Sequence, residues 1–241
     1  EIAPWRKKYD KQIKSAVICY GVSSIGGNTF CCFINLNFVL IANGVASIGD
    51  GAFSRCKALT SIFLPESITS LGTNPFEGCE HLRSIRIAEG NPHFTVEDGV
   101  VFNKGMSRII SYGACTKSEY KVPNTVTLID RRAFSNCIKL TSITIPDSVK
   151  EIGDEAFNEC FALTSVTVPG SAEKLGANPY NWCFKLSKIN VVGKGQNLKI
   201  VDGILFYRDM ARIIWFPHDE NGAMRYHTRS ILLTPVLLRN T

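Results

Sequence analysis

The sequence predicts a β-rich solenoid, in which short strands and short helical connectors repeat along one axis and two β-hairpins are inserted. Three observations predict this fold class. Apolar residues and cysteine recur in a frame of 23 residues, the apolar residues alternate over short runs as in half-buried strands, and the whole arrangement repeats after 104 residues. Chance does not reproduce so many spacings together, so we interpret the chain as a tandem array.

The repeat is defined by aromatic, cysteine and aliphatic residues at fixed distances. Numbered from an opening isoleucine or leucine, it has phenylalanine or tyrosine at position 6, cysteine at position 9 in five repeats, and aliphatic residues at positions 12, 15 and 17. Repeats 1 to 6 open at Ile25, Ile48, Leu71, Ile129, Ile152 and Leu175. One coil cannot bury these side chains alone, so we expect successive coils to stack around one continuous core.

Each repeat is expected to contain two short strands. In the second repeat, alternation places Ile62 and Leu64 inward on a strand, which Pro65 ends because proline has no N–H for the sheet. Residues 68–72 alternate again and predict a second strand on the opposite side of the coil. The segment from Ala52 to Cys56, which precedes the first of these two strands, is expected to be a short helical connector.

A longer unit follows each set of three repeats. These long units share Asp98-Gly99 and Asp202-Gly203, at the same 104-residue offset as the repeats themselves. An Asp-Gly pair between apolar runs favours a two-residue hairpin turn, because glycine tolerates positive φ. We therefore expect one β-hairpin insert in each half of a duplicated array.

The repeat resembles a known family. The run from Val149 to Cys160, Val-Lys-Glu-Ile-Gly-Asp-Glu-Ala-Phe-Asn-Glu-Cys, is similar to the consensus of the BspA-like leucine-rich repeat, a 23-residue, Treponema-type class found in surface proteins of gut bacteria. The resemblance covers residues 13–217, although Asn-Pro replaces the usual alanine in the third and sixth connectors. It implies a right-handed leucine-rich-repeat solenoid, adhesion or ligand capture at the cell surface or after secretion, and no catalytic residues.

The sequence predicts a single domain with four segments. Residues 1–24 are expected to form an N-terminal cap, 25–127 three short repeats with a hairpin insert, and 129–217 the duplicated second set. Residues 218–241 do not continue the repeat. They predict either an atypical cap over the open end of the solenoid or a frayed tail.

The net charge of +6 does not indicate a nucleic-acid surface. The excess of basic residues lies in the two flanks, residues 1–14 and 223–241, whereas the body between them sums to zero. Nucleic-acid binding requires lysine and arginine clustered on one face of the fold. We therefore expect no nucleic-acid partner, and no apolar run is long enough to predict insertion into a membrane.

The cysteines at position 9 are expected to be a ladder of buried, reduced thiols that fill the core, with disulfides or a metal as the alternatives. Cys31-Cys32 is interpreted as a shifted version of the same position. The four histidines are scattered, and no pair has the spacing of metal ligands. No nucleotide-binding or nucleophile motif is present, so we expect neither a cofactor nor enzymatic activity.

Function is expected on the outer face of the strands that carry positions 15 and 17. In the first half the outward residues are Phe38, Leu40, Ser61, Phe63, Ser84 and Arg86, whereas in the second half they are polar. Exposed aromatic residues and arginine are typical of protein interfaces. The alternative is that Phe38 and Phe63 are covered by the N-terminal segment.

The sequence therefore predicts an extracellular module, a monomer, that binds a host or bacterial surface protein or a glycan through this face. The alternative is a structural spacer that presents other domains at the cell surface. A binding module predicts a contiguous apolar or charged patch, and a spacer predicts a uniformly polar face.

Overall fold

A computed structural model describes residues 9, 11–193, 195, 197–209 and 212–216 as a stack of coils. Each complete coil has a long strand on one side, a short strand on the other and a turn-rich connector between them. The long strands are β1 (Ser15–Ile18), β3 (Phe38–Ile41), β5 (Ser61–Leu64), β7 (Ser84–Ile87), β11 (Glu119–Lys121), β13 (Ser142–Thr144), β15 (Ser165–Pro169) and β17 (Lys188–Val192). The short strands are β2 (Ser24–Ile25), β4 (Ser47–Ile48), β6 (Ser70–Leu71), β12 (Leu128–Ile129), β14 (Glu151–Ile152) and β16 (Lys174–Leu175).

The two expected strands of each repeat are confirmed. In β5, Ile62 and Leu64 are buried whereas Ser61 and Phe63 are exposed, so the alternation seen in the sequence is the alternation of the two sheet faces. Within each sheet of coil strands, neighbouring coils pair in parallel and place residues 23 positions apart side by side, as in the pair Ile48 and Leu71, whereas β3 and β5 are adjacent without pairing. The predicted β-solenoid is therefore correct.

The expected short helical connectors are wrong, because the connectors are turns with two left-handed residues. In all six repeats, positions 4 and 8 have positive φ: Asn28 and Cys32, Gly51 and Arg55, Asn74 and Gly78, Arg132 and Asn136, Glu155 and Glu159, Asn178 and Trp182. A left-handed residue ends a right-handed helix, so two residues of this kind four apart leave no room for one. The backbone instead bonds to the next coil: the N–H of Phe53 donates to the carbonyl of Pro75 at 2.8 Å, and Phe157 does the same to Pro179 at 2.8 Å.

The core is organised around a column of aromatic rings at position 6. Phe53 stacks on Phe30 with ring centroids 5.3 Å apart, and Phe157 stacks between Phe134 and Tyr180 at 5.1 and 5.4 Å. Phe53 and Phe157 are completely buried. The column explains why position 6 is aromatic in every repeat, since rings one coil apart can stack face to face.

Both inserts are antiparallel three-stranded units. The first contains β8 (Phe94–Glu97), β9 (Val100–Asn103) and β10 (Arg108–Ser111), and the second contains β18 (Leu198–Val201), β19 (Ile204–Tyr207) and β20 (Ile213–Trp215). Asp98 and Gly99 turn between β8 and β9 with φ of 52° and 80°, as the hairpin prediction requires. Because β10 also pairs in parallel with β12, the first insert continues into the sheet of the second half.

Two expectations fall on residues that the structure does not describe. The predicted N-terminal cap includes residues 1–8 and 10, and the predicted cap or tail comprises residues 218–241, so both stay predictions at those positions. In the described part of the chain, no helix has the length and apolar character needed to span a membrane.

Candidate functional site

An exposed apolar surface crosses the long strands of the first half. Val17, Leu40 and Phe63 are 58%, 50% and 45% exposed, and they lie side by side on successive strands. Arg86 follows Phe63 on the next strand and is also exposed. We call these four residues the apolar stripe. Its side chains project from two parallel strand pairs, β1–β3 and β5–β7, which lie next to each other and are each held by backbone hydrogen bonds within the pair.

All six residues predicted for the binding face lie on the outer side of β3, β5 and β7. Leu40, Phe63 and Arg86 belong to the apolar stripe. The other three occupy the parallel column beside it, where Phe38 is 53% exposed, Ser61 is exposed and Ser84 is half-buried. Their exposure leaves about half of each phenylalanine ring accessible, in contrast to the alternative that these rings are covered.

Val17 is the stripe residue that the sequence analysis missed. It lies 23 residues before Leu40, and β1 pairs with β3 in the register that places the two side by side. The signal was present, because Ala16 and Ile18 alternate with it as in the other long strands. It was missed because β1 precedes the first complete repeat.

The second half of the duplication carries different chemistry on the same surface. The positions 104 residues after the four stripe residues are Lys121, Thr144, Thr167 and Asn190. These residues lie on β11, β13, β15 and β17, the equivalent parallel strands, which here form one four-stranded sheet instead of two pairs. The fold therefore does not require apolar residues at these positions, and the stripe is a feature of the first half alone.

A second exposed aromatic group lies on the connectors of the second half. Phe161 and Phe184 are at position 10 of consecutive repeats, and their rings are parallel with centroids 6.1 Å apart. Trp182 is perpendicular to Phe184, at 5.5 Å, and is 55% exposed. This group was not predicted from the sequence, because its residues lie on connectors and the outward positions of a repeat are marked by alternation only on the strands.

The two halves meet through buried polar contacts between connectors. Glu77 is only 6% exposed; its Oε1 accepts a hydrogen bond from Ser135 at 2.7 Å and lies 3.1 Å from Arg132 Nη2. Asn74 donates to the carbonyl of Arg132 at 2.7 Å. Two grooves of about 410 and 320 Å³ flank this junction, and both are lined by arginines and carboxylates together. Their charges are largely paired, so neither groove has the uniform field that selects one ionic ligand.

The position-9 cysteines are buried, as expected, and have a structural role. Four of these thiols are within hydrogen-bonding distance of the carbonyl of the position-6 residue in the preceding coil, as with Cys56 and Phe30 at 3.0 Å and Cys183 and Phe157 at 3.0 Å, and Cys137 contacts the carbonyl of Tyr112 in the long unit. Burial raises the pKa of Cys79 to about 12, and it raises the pKa of Cys56 further. The thiols of Cys56 and Cys79 are therefore protonated at neutral pH. No group of three or more metal-ligating side chains occurs among the described residues.

The interpretation of Cys31-Cys32 as a shifted position 9 is wrong. Phe33, which is completely buried, occupies position 9 of the first repeat. Cys31 and Cys32 stand at positions 7 and 8, on the outside of the connector, where Cys32 is exposed. The ring of Phe33 replaces the thiol and packs at right angles to Phe30, with centroids 5.6 Å apart.

Comparison with known proteins places the chain among bacterial repeat proteins. The BspA type leucine-rich repeat region family matches residues 8–111 and 108–218 with six copies, whereas no curated protein matches. A leucine-rich repeat protein from Eubacterium ventriosum is 26% identical, with a TM-score of 0.58, over 80% of this chain and 63% of that one.

Two further solved structures share the fold. The pneumococcal vaccine antigen PcpA is 22% identical, with a TM-score of 0.64, over 77% of this chain and 52% of that one. A leucine-rich cell surface protein from Faecalibacterium prausnitzii is 23% identical, with a TM-score of 0.52, over 78% of this chain and 62% of that one. The chain thus spans less than two thirds of each of these three proteins. From its repeats, its fold and the family match over both halves, the chain belongs to the BspA-type leucine-rich-repeat family.

Proposed function

We propose that the protein is a non-enzymatic binding module of a bacterial surface protein and that it captures a protein or glycan through the apolar stripe. The observation that carries this proposal is the contrast between the halves. At four equivalent positions of the long strands, the first half exposes valine, leucine, phenylalanine and arginine, whereas the second half has lysine, two threonines and asparagine. Exposed apolar groups in water cost free energy, so a surface that keeps them where the fold does not need them is suited to a partner.

The composition of the stripe fits an interface. Binding energy concentrates in a few large apolar or aromatic residues and arginines, surrounded by polar residues that exclude water. Phe63 and Leu40 supply the apolar centre, Arg86 supplies the charge at one end, and Ser61 and Ser84 supply a polar border. The rigid sheet lowers the conformational entropy that binding must otherwise overcome.

The second candidate function is a spacer that holds other domains away from the cell surface. It is favoured by the polar sheet face of the second half, which has no apolar patch equivalent to the stripe. A spacer needs stacked coils and a solvated surface, but it does not need the stripe. The two functions therefore differ in what they predict for variants of the stripe.

The test exchanges the stripe for the residues of the second half. The variant carries Val17→Lys, Leu40→Thr, Phe63→Thr and Arg86→Asn, each the residue that stands 104 positions later. We expect purified wild type to bind at least one member of a panel of extracellular-matrix proteins, bacterial surface proteins and glycans, and the variant to bind it at least about tenfold more weakly. Both proteins should melt at nearly the same temperature.

Equal binding by wild type and variant would contradict the proposed site. If neither protein binds any member of a broad panel, the spacer function is favoured instead. A surface location is part of the proposal, supported by the family and by the F. prausnitzii relative. It predicts that antibodies against this chain label intact cells.

A further inference from the structure

Cys31 and Cys32 differ from the cysteines of the core in both accessibility and geometry. The two Sγ atoms are 3.5 Å apart, so a rearrangement of the side chains and of the peptide between them brings them within bonding distance. Cys32 is exposed and Cys31 is half-buried, whereas the five position-9 thiols are buried. Cys31 and Cys32 are therefore an adjacent pair of thiols whose chemistry requires no unfolding.

Both cysteines line the mouth of the groove of about 320 Å³ beside the junction. Arg55, Arg131 and Arg132 line the same groove, against the carboxylates of Asp50 and Glu77. Arg55 pairs with Glu159 and Arg132 with Glu77 and Glu155, whereas neither Arg131 nor Asp50 forms an ion pair in the described part of the chain. A small molecule that enters this groove therefore meets groups of both charge signs next to the thiols.

We propose that Cys31 and Cys32 form a thiol–disulfide exchange site, which a small disulfide oxidises to a vicinal disulfide. The thiolate of Cys32, the more exposed residue, attacks one sulfur of the disulfide, giving a mixed disulfide and releasing the first thiolate. The thiolate of Cys31 then attacks Cys32 Sγ, forming the Cys31–Cys32 bond and releasing the second. The protein loses two protons and two electrons, and the small disulfide becomes two thiols.

The local backbone links this chemistry to the packing of the first two coils. Cys32 has φ of 65°, and its N–H donates to the carbonyl of Ser54 at 2.7 Å, which is one of the bonds that join the first connector to the second. An eight-membered ring closed across the Cys31–Cys32 peptide reorients that peptide. Oxidation therefore breaks the bond to Ser54, and the amide of Cys32 exchanges with solvent faster than in the reduced protein.

Cys56 does not take part, although it lies in the next coil. It is completely buried, and its thiol donates to the carbonyl of Phe30 at 3.0 Å. Its raised pKa keeps it protonated where exposed thiols react. The exchange site is thus confined to the two cysteines of the first connector.

The test treats the folded, reduced protein with oxidised glutathione and measures intact mass and tryptic peptides. We expect a product that has lost two hydrogen atoms, with the disulfide mapped to Cys31–Cys32, and restoration by dithiothreitol. The control variant is C31S/C32N, because serine stands at position 7 in repeats 2 and 4 and asparagine at position 8 in repeat 4. This variant should fold normally and show no such oxidation.

A stable mixed disulfide that does not close, a disulfide mapped to another pair, or unchanged oxidation of C31S/C32N would each overturn the exchange site.

Discussion

Arg55 and Glu159 occupy the same position of the repeat in the two halves, 104 residues apart, and their side chains form an ion pair in which Arg55 Nη2 lies 3.2 Å from Glu159 Oε2. Arg55 reaches across the connector of the third repeat because Gly78 has no side chain there; a Cβ at Gly78 would lie 3.2 Å from Arg55 Cγ. Connectors of different halves thus contact one another. This is possible because the long unit between them does not have the connector of a short repeat.

The exposed and the buried side-chain pairs of this junction are expected to contribute differently to the free energy of unfolding. Arg55 is about half exposed, so a double-mutant cycle of Arg55→Ala and Glu159→Ala should give a coupling energy below about 1 kcal/mol. Glu77→Ala leaves Ser135 and Arg132 without their buried partner and should destabilise the protein by about 1–3 kcal/mol. Urea unfolding measures both. A coupling of the first pair stronger than the loss at Glu77 would show that the junction depends on the exposed pair.

Gly78 provides a test of the left-handed connector. It has φ of 66°, a conformation that costs L-residues roughly 1–2 kcal/mol, and asparagine tolerates it best among them. Gly78→Val should therefore lower the free energy of unfolding by about 1–2 kcal/mol more than Gly78→Asn does. Asparagine is the matched control, since Asn136 occupies the same position in the fourth repeat. Equal effects of the two substitutions would contradict the assignment of strain to this backbone.

Phe157 tests the aromatic column. It is completely buried between Phe134 and Tyr180, so Phe157→Ala should destabilise the protein by about 3–5 kcal/mol through lost burial and a residual cavity. Phe161→Ala is the control, because that ring is 41% exposed and should cost much less. Thermal melts compare the two. A shift in melting temperature under about one degree for Phe157→Ala would mean that the ring is not part of the core.

The buried thiols predict a loss of stability at alkaline pH. Burial raises the pKa of Cys79 from 9.0 to about 12, so the folded state keeps its proton where the unfolded state loses it. The stabilisation is complete below pH 9 and is lost progressively as pH rises towards 12. Melting temperatures measured in the presence of a reductant from pH 7 to 11 should fall above pH 9, and the melting temperature of the Cys79→Ala variant should fall less steeply. A melting temperature of the wild type that does not change with pH would contradict the buried, protonated state of Cys79.

The repeat frame, the two strands, the hairpin turns and the outward stripe could be predicted because each depends on local spacing. Alternation sets which face Leu40 and Phe63 occupy, and Asp98-Gly99 marks its turn without tertiary context. The connectors could not be recognised as turns from Arg55, Glu155 or Trp182, which rarely adopt positive φ. The glycine or asparagine at position 4 of four repeats was the available signal, and it was interpreted as part of a helix.

The contacts between the two halves could not be predicted from the sequence, for a different reason. The pairs Arg55–Glu159 and Glu77–Ser135 join residues whose separation is not 23, so a periodic pattern does not bring them together. They follow from the shape of the long unit. In this unit the backbone N–H of Tyr112 donates to the carbonyl of Ala133, so Tyr112 stands where a short repeat would have a full connector. Only the three-dimensional path of that unit shows which connectors become neighbours.

The most direct test of the account is to move the apolar stripe to the other half. In the variant that carries the polar residues in the first half, Thr144→Leu, Thr167→Phe and Asn190→Arg rebuild most of the stripe on β13, β15 and β17. Binding of the ligand captured by wild type is then measured by surface plasmon resonance. The account predicts that affinity lost with the original stripe returns with the relocated one. Persistent loss of binding in a normally folded relocated variant would contradict the claim that the stripe is the binding surface.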